Sequence, residues 1–282
     1  MGDNSKIEWT DSTDNIIVAA DGGWWCRHVT RGCDNCYAEK LNQSSYFGGN
    51  KLPYSGDAPP LKLREDIIDA WSRKTKPKRR FVMSMSDAFG EWVPQPWVFR
   101  FLDGMRAAPR QTFQLLTKRP AVMRRSVEAW LSARDLHSMP SNIWLGVSVT
   151  CQRDADSFLP ILLEIAATRF ISAEPLLDSV EAHAWLHAIH WVIVGGESGP
   201  HARPMHPTWA RSLREQCIAA NVPFFFKQWG EFRPDGNGIS ARVRARHLWS
   251  DGEVSVLIGK KAAGRMLDGR TWDAFPDSSI AP

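Results

Sequence analysis

Six short apolar runs, each rich in β-branched or aromatic residues and each ending abruptly in polar ones, recur along the chain. They are FVMSMSD (81–87), TFQLLTKR (112–119), NIWLGVSV (142–149), RFISAEP (169–175), HWVIVGGES (190–198) and PFFFKQWG (223–230). Continuous rather than alternating apolarity marks strands buried on both faces, as in a parallel sheet. Between the runs lie stretches with helical spacing of apolar residues: PQPWVFRFLDGMRAAP, PAVMRRSVEAWLSARDL, QRDADSFLPILLEIAA and, before the last run, HPTWARSLREQCIAAN. Strand and helix alternate with the spacing of a βαβ step, on the order of 30 residues. A seventh strand is expected near residues 15–28. The pattern predicts an α/β fold, a partial parallel (β/α) barrel of six to seven strands, while a doubly wound open sheet shares the same local grammar and stays open as the alternative.

Residues 43–66, with GGNKLPYSGDAPP, read as a loop insertion, and KTKPKRR (74–80) as a basic turn leading into the strand at 81. From about residue 231 short apolar runs alternate with glycine, which predicts small hairpins. The expected organisation is a barrel over residues 1–230 and a β-rich appendage over 231–282 packed on it.

Ligands of parallel α/β folds bind at the carboxyl ends of the strands. Applied here, that rule selects Ser84, Ser86 and Asp87; Thr117, Lys118 and Arg119; Ser148; Glu174; Gly195, Gly196, Glu197 and Ser198; and Lys227, Gln228 and Trp229. Any one of them has an ordinary explanation as a helix cap or a solvated side chain. Six polar strand ends in succession argue for a polar pocket.

The chain has 282 residues, 43% hydrophobic and 23% charged, enough for a sizeable core. Its net charge of +4 suits an anionic ligand without requiring a polyanion. The polar start MGDNSKIEWTD and the lack of any run of about 18 apolar residues predict no secretion signal and no membrane span, hence a cytoplasmic protein. Most of the 14 tryptophans are expected as core filler.

Three of the five cysteines, Cys26, Cys33 and Cys36, form a C-x6-C-x2-C pattern in the stretch WWCRHVTRGCDNCYAE. An odd count in a reducing compartment makes a poor disulfide framework. A C-x2-C pair lets two thiolates reach one metal from a single turn. A structural zinc takes four ligands, and only His28 is near to complete the set. Three cysteines can instead hold a [4Fe–4S] cluster whose fourth iron is open to a ligand. Cys151 and Cys217 read as ordinary buried thiols, and HARPMHP (201–207) as a stiff loop rather than a metal box.

GCDNCYAEK resembles the cluster loop of radical S-adenosylmethionine enzymes, in particular the spore-photoproduct-lyase-like branch. Those enzymes space their ligands C-x3-C-x2-C, so the first gap here is longer. Nearly the whole chain resembles a phage- and prophage-associated three-cysteine-motif family of unknown function, through KIEWTDSTDN, RGCDNCYAEK, FVMSMSDAFGEWVP, FQLLTKRP, NIWLGVSV, ISAEPLL, WVIVGGESGPHARPMHP, VPFFFKQWGE and KKAAGRMLDGRTWDAFP. The resemblance implies a TIM-barrel-like radical enzyme with a [4Fe–4S] cluster on Cys26, Cys33 and Cys36 and with S-adenosylmethionine bound to the open iron and reductively cleaved. Ser84, Ser86 and Asp87 would then receive the methionine amino group, Ser148 and Glu174 the ribose, and Gly195, Gly196 and Glu197 the adenine or the carboxylate. Lys118, Glu174 and Lys227 are the expected catalytic groups. Lys118, Arg119 and Lys227 suit a substrate phosphate or carboxylate, and Trp92 with Trp229 a stacked base, which points to a nucleotide or nucleic-acid substrate and to its modification or repair. Such chemistry also needs an external electron donor and leaves room for a partner protein encoded nearby. Two other readings stay open: a zinc-stabilised nucleic-acid-binding protein, and a non-radical barrel hydrolase or lyase using Asp87, Glu174 and Glu197.

Overall fold

The computed structural model describes residues 4–44, 47–236, 239 and 241–276. Twelve strands are assigned among them: β1 (Ser12–Asp14), β2 (Ile17–Ala19), β3 (Leu61–Leu63), β4 (Arg79–Val82), β5 (Thr112–Thr117), β6 (Ile143–Ser148), β7 (Thr168–Ala173), β8 (Trp191–Gly195), β9 (Phe224–Gln228), β10 (Phe232–Pro234), β11 (Ala245–Leu248) and β12 (Val254–Leu257). The helices are α1 (Tyr37–Gln43), α2 (Glu65–Trp71), α3 (Gln95–Arg106), α4 (Pro120–Ala133), α5 (Gln152–Leu163), α6 (His183–Leu186), α7 (Pro207–Ala219) and α8 (Lys260–Ala263).

Seven strands form one sheet in the order β1-β4-β5-β6-β7-β8-β9. The pairings β1·β4, β4·β5, β5·β6, β7·β8 and β8·β9 are parallel. The order never reverses, so there is no switch point of the kind that defines a doubly wound sheet. Each crossover advances in the same sense, which is the winding of a (β/α) barrel, here partial because β1 and β9 remain edges of the ordered series. All six predicted runs became strands of this sheet, and β6 and β8 are buried along their whole length.

The seventh strand is not where the sequence placed it. Residues 15–28 contribute only β2, which pairs antiparallel with β3 in a separate two-stranded sheet. The place beside β4 is taken by the polar triplet Ser-Thr-Asp of β1. Polarity hid it, and polarity holds it: Arg80 on β4, 2% exposed, donates from Nη1 to Ser12 Oγ at 3.2 Å and to Asp14 Oδ2 at 3.1 Å. Trp71 Nε1 donates to the same Asp14 oxygen at 3.0 Å, and Arg80 Nε to Gln111 at 2.9 Å. The basic turn therefore stops short of Arg79 and Arg80, which belong to β4. The loop expected over 43–66 also contains β3 and the start of α2, while residues 45 and 46 lie outside the described residues.

Two compact units divide the chain. Among the described residues, the first lies within 4–147 and 161–169, and the second within 148–160 and 170–276. In the first, α3 buries Val98, Phe101, Leu102 and Met105, and α4 buries Met123, Val127 and Trp130, each one helical stripe. Both helices carry proline in the first turn, where its missing N–H costs nothing. In the second unit, β10, β12 and β11 form the expected antiparallel sheet. The outer edge of β9 is covered: Phe226 N donates to Trp272 O at 2.9 Å, Ala274 N donates to Phe224 O at 3.3 Å, and Phe225 bridges Asp273 antiparallel. No helix among the described residues is long and apolar enough to cross a membrane.

Candidate functional site

In the first unit the cysteine loop is built from turns. Thr30 Oγ1 accepts from Gly32 N at 3.2 Å and caps a 3-10 turn, Arg31–Cys33. Cys36 N then donates to Cys33 O at 3.1 Å, and Cys36 stands at the N-cap of α1. Cys33 and Cys36 are thus separated by a single turn, as the C-x2-C spacing predicts. Cys26 comes from a segment outside any helix or strand and packs, with Cys36, Trp24 and Leu41, against one apolar cluster of Ala38, Tyr54 and Met85. Burial raises the Cys26 thiol above its ordinary range, and the Asp87 carboxylate raises it further. Burial also raises Cys36, against which Lys118 acts in the opposite direction.

The loop is braced by residues that carried no signal in the sequence. Glu39 accepts from Tyr54 N at 2.8 Å and lies 2.9 Å from His28 Nε2, so His28 serves the brace rather than the thiols. Asn42, fully buried, accepts from Trp24 N at 2.9 Å and donates to Asn50 Oδ1 at 2.6 Å. Tyr54 Oη donates to Met85 O at 2.7 Å. Glu39 stands in the CYAEK run and Asn42 just after it, yet their bonds depend on chain brought in from residues 50–54.

The strand-end residues of this unit sit in the turns after β4 and β5, because β4 ends at Val82 and Met83 turns away with φ of 68°. Their side chains are largely engaged. Ser84 Oγ meets the Asn15 amide, and Ser86 Oγ donates to Trp25 O at 2.5 Å. Asp87 accepts from Thr117 Oγ1 at 2.8 Å, Phe89 N at 2.9 Å, Lys118 N at 3.3 Å and Arg119 Nη1 at 3.3 Å. Arg119 is buried rather than a cation of an open mouth. Its Nε donates to Glu91 at 2.8 Å, its Nη2 to Arg27 O at 2.8 Å, and its guanidinium lies 4.6 Å from the Trp92 ring. Trp92 in turn meets Trp25 edge-on at 4.7 Å. Lys118 is half-buried.

In the second unit Ser148 ends β6 and is buried. Glu174 follows β7; its Oε1 meets Lys227 Nζ at 2.9 Å and its Oε2 accepts from Ser172 Oγ at 3.2 Å. Both side chains keep partial exposure, 14% and 19%. Gly195 makes room for this pair, since a Cβ there would stand 2.7 Å from Glu174 Oε1. Gly196 is packed harder: a Cβ would fall 1.9 Å from Trp229 O, which is main chain. Gly196→Ala is therefore expected to cost about 3 kcal/mol, the upper range of overpacking. A Gly195→Ala chain has only a side chain to move and is expected to lose less than half as much, with unfolding midpoints of the two variants as the check.

Glu197 is 6% exposed and is clasped by Arg203, through N at 2.7 Å, Nε at 3.0 Å and Nη2 at 2.6 Å. It closes its own loop. Trp229 is buried in the core, with Nε1 donating to Met266 O at 2.8 Å, so it offers no face to a base. His206 caps α7 through Nδ1 and meets Asp251 at 3.0 Å through Nε2, as a structural histidine. Cys217 is buried and its thiol is pushed up to about 12 by burial.

Among the described residues no three His, Cys, Asp or Glu side chains are already gathered as the ligands of a metal ion. The donor set of the loop is nevertheless of one chemical kind. Three thiols, two of them against one apolar wall, are soft donors that select iron–sulfur clusters, zinc or copper over hard cations.

Fold and loop together define a parallel α/β protein with a three-cysteine loop feeding a partial barrel. The chain belongs to the protein family of unknown function DUF5131, whose profile matches residues 4–276. No curated protein matches it in sequence. Solved structures similar to it include a cysteine-to-serine mutant of spore photoproduct lyase, 12% identical with a TM-score of 0.45, covering 93% of this chain and 72% of that one. Another is a double mutant of the same lyase with bound AdoMet and dinucleoside spore photoproduct, 10% identical with a TM-score of 0.41, covering 86% and 67%.

Proposed function

We propose that the protein is a radical S-adenosylmethionine-type enzyme carrying a [4Fe–4S] cluster and acting on a nucleotide, a nucleic-acid base or a related polar substrate. The observation that carries the reading is the loop itself. Cys33 and Cys36 are joined by one turn, and Cys26 shares an apolar wall with Cys36. These three thiols would hold the cluster, which supplies the single electron for reductive cleavage of S-adenosylmethionine when bound. Trp24, Tyr54 and Met85 exclude water from that wall, as radical chemistry requires.

The remaining roles follow from which polar groups are still able to meet a ligand. Asp87, Ser86 and Glu197 are committed to holding backbone and arginine, so they position loops rather than receive the cofactor. Glu174 with Lys227, both partly exposed, is the charged pair suited to a ribose diol or to moving a proton, whereas Ser148 is buried at the end of β6 and would meet a ribose hydroxyl only after local opening. Lys118 suits an anionic group near Cys36. Substrate class rests on these cations and on the net positive charge.

The test is metal and acid-labile sulfide content of protein purified without oxygen. About four irons and four sulfides, an absorption band bleached by dithionite, and loss of all three in the Cys26/Cys33/Cys36→Ala triple variant are expected. S-adenosylmethionine cleavage should then be lost with the iron. A colourless protein holding one zinc, or none of these metals after anaerobic reconstitution, would overturn the reading and leave Glu174 and Lys227 as the chemistry to pursue.

A further inference from the structure

We infer that the second unit carries an oxyanion site, for a phosphate group, in a cavity of about 450 Å³ lined by Arg211, Trp229, Arg233, Arg265, Met266 and Asp268 among others. The inference goes beyond the reading above and uses none of the cysteine loop. Its first support is a pair of donors without acceptors. Nε of Arg233 and Nε of Arg265 are both buried, and neither has a hydrogen-bond partner among the described residues. A buried N–H left unmade costs more than an ordinary hydrogen bond contributes, and because both arginines line the cavity, a small rotation of either guanidinium brings its unmade donor to an acceptor held there.

The second support is charge. The carboxylates around the cavity are already matched: Asp268 takes Arg211 at 2.9 Å and Arg214 at 2.6 Å, Asp235 takes Arg246, and Asp273 takes Arg265. Arg233, on β10 opposite Val256, is left without a carboxylate among the described residues. The surplus is positive, and its bearer is a guanidinium, whose planar fork fits two oxygens of one phosphate. A phosphate offers enough acceptors for the two guanidinium groups, Arg233 and Arg265, that line the cavity together. Trp229, whose indole is fixed by Met266 O, gives the cavity a rigid wall, so little ordering is needed on binding.

The experiment is calorimetric titration of inorganic phosphate, and separately of a short single-stranded oligonucleotide, into the full chain and into Arg233→Gln. Phosphate should bind the parent, and Arg233→Gln should weaken it by about tenfold or more, the factor set by one charge-assisted bond. Arg233→Lys, which keeps the charge and loses the fork, should fall between. Parallel weakening of the oligonucleotide assigns the site to nucleic-acid phosphates, whereas weakening of inorganic phosphate alone assigns it to a free phosphate or phosphomonoester. No binding of phosphate by the parent, or binding indifferent to Arg233→Gln, overturns the site. Protection of Arg233 by phosphate against an arginine-selective dicarbonyl reagent reads the same point in the parent chain, whatever the folding of the variant. The triple cysteine variant should keep phosphate binding, so failure of the cluster and failure of this site are separable.

Discussion

Arg119→Ala is expected to destabilise the first unit by about 3 to 5 kcal/mol and to loosen the cysteine loop with it. Arg119 and Asp87 are only 5% and 8% exposed, and the pair is one of several contacts that the guanidinium makes. Removing it strands the Asp87 charge among Thr117 and backbone amides, and unties Arg27 O, one residue from Cys26. Trp92 loses the cation over its face at the same time. Arg119→Lys should recover a minor part of the loss, because one ammonium cannot serve Asp87, Glu91 and a carbonyl together. Adding Asp87→Asn to Arg119→Ala should return some stability by neutralising the stranded charge, and the double-mutant cycle measures that coupling. Urea unfolding followed by tryptophan fluorescence is the assay. A loss below about 1 kcal/mol, the size of a surface pair, would show that Arg119 does not tie the loop down.

The second large effect is expected at the edge of the sheet. Asp14→Ala leaves the Arg80 guanidinium in the core with only neutral partners, Ser12 and Gln111, and leaves Trp71 Nε1 without its acceptor. The cost should again be about 3 to 5 kcal/mol, since an uncompensated buried charge dominates. Replacing both partners, as in Asp14→Leu with Arg80→Met, should cost less than Asp14→Ala alone. Denaturant midpoints of the three chains decide it. If the double replacement is the worse, the ion pair holds β1 through its geometry rather than merely compensating its own burial.

These two clusters also mark where the sequence could and could not be read. Buried parallel strands announce themselves as apolar runs, and β5 through β9 stand where those runs stand because nothing but apolar packing determines them. The strand β1 has no such run. Its place depends on Arg80, some 66 residues away in sequence, and a long-range ion pair leaves no local periodicity. The site behaves the same way. C-x2-C is a local device, so the turn joining Cys33 and Cys36 was legible. Polar strand ends were legible as positions but not as roles: Asp87, Arg119 and Glu197 look identical, in one dimension, to residues aimed at a ligand, and only their partners reveal that they hold loops. Trp229 misled for the opposite reason, since an aromatic after a strand reads as a platform until Met266 and Phe226 are seen to enclose it.

The segment over residues 272–274 has a consequence for how copies of this chain meet. The strand it covers, β9, carries Phe224, Phe225 and Phe226 in succession at the end of the sheet order. An open aromatic edge is a template on which a second molecule can add its own strand, the first step of sheet-to-sheet aggregation. By occupying the Phe226 amide and the Phe224 carbonyl, this stretch acts as a plug, and cutting the chain before Trp272 would turn a quiet edge into an adhesive one.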